Sequence, residues 1–154
     1  MKKLAIVQAR MGSTRFPGKV LKLINGKPMI AQLLARLSKA TLVDEIIVAT
    51  GDGVENDELA KLTESIGVPC FRGSETDVLD RYARAAEKYG AETIVRITGD
   101  CPLIDPKLVD EVITAFSQSN ADYASNVSPP TYPDGLDVEV FSAASLKQTA
   151  ETTK

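Results

Sequence analysis

Residues 9–19 read Ala9-Arg10-Met11-Gly12-Ser13-Thr14-Arg15-Phe16-Pro17-Gly18-Lys19, a stretch with two arginines, one lysine, two hydroxyls, two glycines and no acid. Cationic side chains, hydroxyls and backbone N–H donors gathered at one spot are the groups that surround the oxygens of a polyphosphate. The stretch directly follows the apolar run Leu4-Ala5-Ile6-Val7, so its donors are expected beyond the end of a buried strand. That position separates Arg10, Arg15 and Lys19 from Lys2, Lys3, Lys22, Lys27 and Lys39, which read as surface solvation. The loop lacks the glycine order of a Walker loop or of a dinucleotide fold. Taken alone it says only anion site, and a basic surface loop has the same composition.

A second loop, Thr98-Gly99-Asp100-Cys101-Pro102, follows the apolar run Thr93-Ile94-Val95-Arg96-Ile97 and offers one carboxylate. Asp100 is the candidate metal ligand, with Gly99 allowing close backbone approach and Pro102 fixing the exit. One carboxylate suits Mg²⁺, which keeps waters and takes its other ligands from substrate phosphates. Gly-Asp and Cys-Pro are also ordinary turn punctuation. Asp137 and Glu139 lie two residues apart in an alternating run and are expected on one strand face, either completing the metal site, holding hydroxyls of a ligand, or simply facing solvent. Asn126 is a further candidate ligand contact.

The elements that must position these groups follow from periodicity. Residues 4–8, 45–50, 68–71 and 93–97 read as strands, mostly as continuous apolar runs, which suits strands buried on both faces of a parallel sheet. Residues 29–40, 56–66 and 77–89 carry apolar residues at helical spacing, and Asp105-Pro106 opens a helix over about 106–116. Residues 20–24 read as an extended connection before the turn signal Asn25-Gly26. Residues 122–126 and 136–141 read as further strands around a proline-rich loop, and Ser142 or Ser145 caps a last helix. Strand and helix in alternation predict a three-layer α/β/α fold with a mostly parallel sheet. In such sheets ligands sit beyond the carboxyl ends of strands, where both candidate loops are expected to converge.

Composition narrows the chemistry. The chain has 154 residues and no histidine, which removes Ser-His-Asp triads, Cys-His pairs and histidine metal sites. Any metal would be a hard ion held by oxygen ligands. The first 43 residues carry nine bases and no acid, a charge of +9, whereas the rest carries −12; this asymmetry points to an anionic ligand near the N-terminal loop. The acidic overall balance, without basic–aromatic stripes, argues against nucleic acid. The apolar patches are too short for a signal h-region or a membrane span, so a cytoplasmic protein with Cys70 and Cys101 as buried free thiols is expected.

The order Ala9-Arg10-x-x-Ser13-x-Arg15-x-Pro17-Gly18-Lys19 resembles the signature of the cytidylyltransferases that activate sugars, including the acylneuraminate and deoxy-manno-octulosonate enzymes. With the runs 95–106 and 133–141, it is most similar to the branch serving spore coat polysaccharide biosynthesis, and the similarity covers nearly the whole chain. The resemblance implies a nucleotide-diphospho-sugar transferase (Rossmann-like) fold and transfer of CMP from CTP to a sugar acceptor with release of pyrophosphate. By that resemblance Arg10, Arg15, Lys19 and Asp100 are the catalytic set. Ala9, Arg10, Gly12, Ser13, Arg15 and Lys19 hold the triphosphate, Arg72 and Ser74 lie in the base-recognition loop, and Asp100 and Asp137 bind Mg²⁺. For Ser74 to Asp77, capping of the following helix is the structural alternative.

Family members continue beyond this length. The resemblance therefore implies that residues 1–154 form one nucleotidyltransferase-like domain lacking a C-terminal part, which in relatives supplies a second metal carboxylate and homodimer contacts. Two competing readings stand beside this one. A glycosyltransferase of the same fold would use Asp137-x-Glu139 as its acidic metal motif, and a non-catalytic domain would only bind nucleotide.

Overall fold

The computed structural model describes residues 1–153. Along the chain come β1 (Lys3–Gln8), the two-residue strands β2 (Leu23–Ile24) and β3 (Lys27–Pro28), α1 (Met29–Leu37), β4 (Glu45–Gly51), α2 (Asp57–Ser65) and β5 (Cys70–Gly73). There follow α3 (Val78–Lys88), β6 (Thr93–Thr98), α4 (Pro106–Gln118), β7 (Tyr123–Ser125), β8 (Glu139–Ser142) and α5 (Ala143–Thr152). Six strands form one sheet in the order β5-β4-β1-β6-β8-β7. The β5-β4-β1-β6 block is parallel, and β8 runs antiparallel to both β6 and β7.

The continuous apolar strands have the expected physical cause. Side chains alternate across the sheet, so Ala5, Val7, Val48, Val95 and Ile97 face one layer, built from Leu33 and Leu37 of α1, Leu59 of α2 and Val109 and Ile113 of α4. Leu4, Ile6, Ile47, Ala49 and Ile94 face the other, built from Tyr82, Ala85 and Ala86 of α3 and Leu146 of α5. Both faces are thus buried, and the central strand β1 is closed to solvent from Leu4 to Val7. Each such aliphatic side chain contributes about 1.5–3 kcal/mol by burial.

Three helices start where polar side chains replace the missing backbone partners. The Asp77 carboxylate accepts from the Asp80 N–H (2.9 Å), Asp105 accepts from Lys107 N–H (2.9 Å) with Pro106 opening α4, and the Ser142 hydroxyl accepts from Ser145 N–H (3.1 Å). Capping of this kind is worth about 1 kcal/mol per helix.

Some sequence expectations shift. Residues 20–24 are no extended connection: Lys19–Leu21 form a 3₁₀ turn, and Leu23–Ile24 pair with Lys27–Pro28 across Asn25-Gly26. Asn25 (φ 51°) and Gly26 (φ 80°) supply the consecutive left-handed residues that a tight hairpin requires. The strand expected at 68–71 starts two residues later, after Gly67 (φ 83°) and Pro69, which has no N–H to donate to the ladder. The run 136–141 becomes a strand only at Glu139. Asp137 therefore precedes the strand that was expected to carry it beside Glu139. Among the described residues no helix is long and apolar enough to cross a membrane.

Candidate active site

The chain leaves β1 to build β4 and β5 on one side and returns to place β6 on the other. Crevices open at the carboxyl ends of strands where the order reverses in this way. Here those ends are in register, Gln8 opposite Thr98, and the Gly99 N–H donates to the Gln8 carbonyl at 2.7 Å. A Cβ at Gly99 would stand 2.9 Å from both the Gln8 carbonyl oxygen and the Ala9 Cβ. Glycine is therefore required here to bring two pieces of backbone together. The two loops leave the sheet side by side and enclose a cleft of about 590 Å³.

Ala9, Arg10, Ser13, Arg15 and Lys19 from the first loop and Gly99 and Asp100 from the second line that cleft. The Met11 carbonyl accepts from both the Ser13 and the Gly18 N–H groups at 3.0 Å, which folds the loop back on itself. Gly18 takes φ 69° at the return, and the Ser13 hydroxyl accepts from the Phe16 N–H (3.2 Å). Arg10 and Arg15 are exposed, and neither guanidinium has a hydrogen-bond or ion-pair partner among the described residues. The Lys19 ammonium lies 4.0 Å from the Asp100 carboxylate. Both groups are substantially exposed, so this pair is worth at most about 1 kcal/mol and is easily exchanged for a ligand's charges. A cationic loop and one carboxylate meeting over a strand crossover can bind a polyphosphate, with or without a hard cation.

Other expected residues lie elsewhere. Arg72 donates to Asp57 (2.5 Å) and to the carbonyls of Gly53 (2.6 Å) and Gly51 (3.3 Å), which ties down the loop after β4 and keeps its guanidinium off the cleft wall. The Ser74 hydroxyl accepts from the Asp77 N–H (2.9 Å), the local turn role weighed as an alternative. Gly12 is in the loop but does not line the cleft. Glu139 spends its carboxylate on the half-buried Arg96 and on the Tyr123 hydroxyl (2.6 Å). Asn126 bonds the Leu136 carbonyl (2.8 Å) and the Val138 N–H (2.9 Å), so its amide fastens backbone.

Asp137 does not line the cleft, but the charges of Asp100 and Asp134, which do, reach it. Partial burial, then repulsion from Asp134, Asp100 and Glu139, raises its carboxyl above the usual range. Such a group gains from a nearby cation. Among the described residues no three His, Cys, Asp or Glu side chains gather into a metal cage; of the acidic residues, Asp100 and Asp134 line the cleft and Asp137 does not. Burial pushes the Cys101 thiol up, partly offset by its contact with the Thr98 hydroxyl, and burial does the same to Cys70. Neither thiol is activated as a nucleophile.

Sequence reasoning did not single out Gln8, Thr98 or Asp134 as cleft residues. Gln8 and Thr98 are the last residues of their strands, and only the strand register reveals them. Asp134 reads locally as a turn residue before Gly135 (φ 94°), and chain folding alone brings it over the cleft.

Residues 4–154 match the family model described as Cytidylyltransferase. The chain belongs to the cytidylyltransferase family. An uncharacterized protein of Methanocaldococcus jannaschii, MJ1063, is 41% identical over 154 residues, all of this chain and 62% of the relative. Spore coat polysaccharide biosynthesis protein SpsF of Bacillus subtilis is 37% identical over 82% of this chain and 55% of its own length. A 3-deoxy-manno-octulosonate cytidylyltransferase of Geobacter sulfurreducens is 42% identical over 76% of this chain and 46% of its own length. The chain thus spans about half to three fifths of these relatives.

Among solved structures, a cytidylyltransferase from Leptospira borgpetersenii serovar Hardjo-bovis superposes with a TM-score of 0.93 at 34% identity, covering 98% of this chain and 64% of that one. A CMP:2-keto-3-deoxy-manno-octonic acid synthetase complexed with CTP has a TM-score of 0.78 at 21% identity, covering 98% and 78%, and shares the fold. The predicted three-layer, mostly parallel α/β architecture is the Rossmann-like fold of these nucleotidyltransferases.

Proposed function

We propose that this chain is the nucleotide-binding part of a cytidylyltransferase that transfers CMP from CTP to a sugar and releases pyrophosphate, in cytoplasmic synthesis of a cell-surface or spore coat polysaccharide. The observation that carries this reading is the meeting of Arg10, Ser13, Arg15 and Lys19 with Asp100 in one cleft at the strand crossover. Family membership supports the reaction type, and the names of the Bacillus and Geobacter relatives are what suggest the pathway and the acceptor class.

The reaction breaks the bond between the α- and β-phosphates while a sugar hydroxyl attacks the α-phosphorus in line. Negative charge grows on the leaving pyrophosphate, and each preorganised donor aimed at it lowers the barrier by about 3 kcal/mol. In this reading Arg10, Arg15 and Lys19 supply that charge, while the Ser13 hydroxyl and the loop N–H groups orient the triphosphate. When CTP enters, Lys19 exchanges part of its weak pairing with Asp100 for phosphate oxygens. In this reading Asp100 and Asp137 would hold a single Mg²⁺ together with the triphosphate, and the ion would neutralise charge on the phosphate oxygens. The turn at Ser74 is the part of the molecule assigned to the base.

The test is product identity with CTP and 3-deoxy-manno-octulosonate or an acylneuraminate, assayed with Mg²⁺. Pyrophosphate together with a CMP-sugar supports the transferase. A nucleoside diphosphate released from a nucleotide sugar would instead indicate a glycosyltransferase.

A further inference from the structure

The phosphate-loop candidate is held from outside by a side chain that neither its composition nor the cleft lining reveals. Asn56 is fully buried. Its carbonyl oxygen accepts from the Met11 N–H at 2.9 Å, and its amide nitrogen donates to the Glu75 carboxylate at 2.8 Å. Met11 is the hub of the loop, because its own carbonyl holds both the Ser13 and the Gly18 N–H groups. Glu75 is fitted into this arrangement with little freedom. A Cβ on Gly51 would fall on the Glu75 carboxylate, which also lies 3.9 Å from where a Cβ on Gly12 would stand. The fully buried Arg81 donates to the Ser74 carbonyl at 2.6 Å and attracts the Glu75 charge, so the segment carrying Glu75 is itself anchored. One buried amide thereby joins three segments that leave the sheet separately, after β1, β4 and β5.

We propose that Asn56 and Glu75 are a positioning pair that sets the shape of the 10–18 loop before any ligand arrives. Asn56 holds the N–H of Met11, and the carbonyl of the same residue fixes the spacing of Ser13 and Gly18, and so the directions in which Arg10, Arg15 and Lys19 leave the loop. Preorganised donors bind and stabilise charge without first being ordered. A loop with an unanchored Met11 must order itself during binding and loses affinity for the triphosphate. The same bonds couple this loop to the turn at residues 73–77, which makes Asn56 a link between the two segments that the proposed function assigns to phosphate and base. The functional half of this inference rests on that nucleotide reading, whereas the anchoring half does not.

Amide hydrogen exchange on the ligand-free full chain tests the anchoring, and calorimetric titration with CTP and with inorganic tripolyphosphate tests its consequence. In Asn56→Ala, the Met11, Ser13 and Gly18 amides are expected to lose at least about tenfold in protection, while the Ala5 and Ile47 amides in β1 and β4 keep theirs. Gly51→Ala, whose methyl group would fall on the Glu75 carboxylate and stand 3.0 Å from the Asn56 amide nitrogen, disturbs both members of the pair and gives a partial loss at the same amides. Glu75→Gln keeps an oxygen for the Asn56 amide and retains the protection. Affinity for both CTP and tripolyphosphate falls about tenfold in Asn56→Ala, corresponding to about 1.4 kcal/mol. Unchanged protection at Met11 and Gly18, or equal loss throughout β1, overturns the anchoring. Local loss of protection with CTP affinity intact overturns the positioning role. Failure of the parent chain to bind CTP counts against the nucleotide reading, and the exchange result still decides the anchoring.

Discussion

Arg10, Arg15 and Lys19 differ from the other bases of the N-terminal segment in where they stand, and their substitution should show it. Arg15→Ala removes an exposed guanidinium that has no bonding partner among the described residues, so the melting temperature should stay within about 1–2 °C while CTP affinity drops about 10- to 100-fold, the scale of a charge-assisted hydrogen bond. Asp100→Ala should likewise leave thermal unfolding unchanged and abolish Mg²⁺-dependent turnover; activity that persists would remove Asp100 from the metal site. Asp137 carries a different prediction. Burial and three neighbouring carboxylates raise its folded value, so the folded chain holds this proton to higher pH than the unfolded chain. The stability it contributes is therefore complete below the ordinary carboxylate range and declines as pH rises through the raised value. Asp137→Asn should raise the melting temperature at neutral pH, and the difference should vanish below about pH 4.

At the scale of elements, the geometry of the cleft depends on how closely β1 and β6 end together. Gly99→Ala places a methyl group 2.9 Å from the Gln8 carbonyl and the Ala9 Cβ, and backbone cannot yield as a flexible side chain does. We expect a loss of about 1–3 kcal/mol in denaturant unfolding, with weaker CTP binding because both loops move apart. Asp105→Ala, which removes only the cap of α4, should cost about 1 kcal/mol and leave nucleotide affinity unchanged. The parallel core was legible in the sequence because strands buried on both faces write continuous apolar runs, and the cap at Asp105 was legible because capping is local chemistry, whereas the sequence left the last cap open between Ser142 and Ser145 and narrowed that of α3 only to residues 74–77. The 9–19 loop could be read for the same reason, since its cations, hydroxyls and glycines are adjacent in the chain. The bonds of Arg72 were not legible, because its partners, Asp57 and the carbonyls of Gly51 and Gly53, come from another loop. Asn56 and Gln8 left no local signal, since their importance lies in strand register and in contacts across three segments.

For the molecule as a whole, the uneven charge gains a physical meaning once the sheet is assembled. Of the nine bases in the first 43 residues, Arg10, Arg15 and Lys19 reach the crossover cleft, and the acidic remainder returns Asp100 and Asp134 to its lining, with Asp137 close enough to feel both charges. A cationic cradle faced by a few carboxylates favours an anion that arrives with a divalent cation over an anion alone. The central claim is that this crossover cleft is a CTP site. Calorimetric titration of the chain with CTP, UTP, ATP and GTP, each with and without Mg²⁺, addresses it most directly. The account predicts that CTP binds most tightly, that Mg²⁺ strengthens its binding, and that Arg15→Ala loses it; equal binding of all four nucleotides, or CTP binding unaffected by Arg15→Ala, would contradict it.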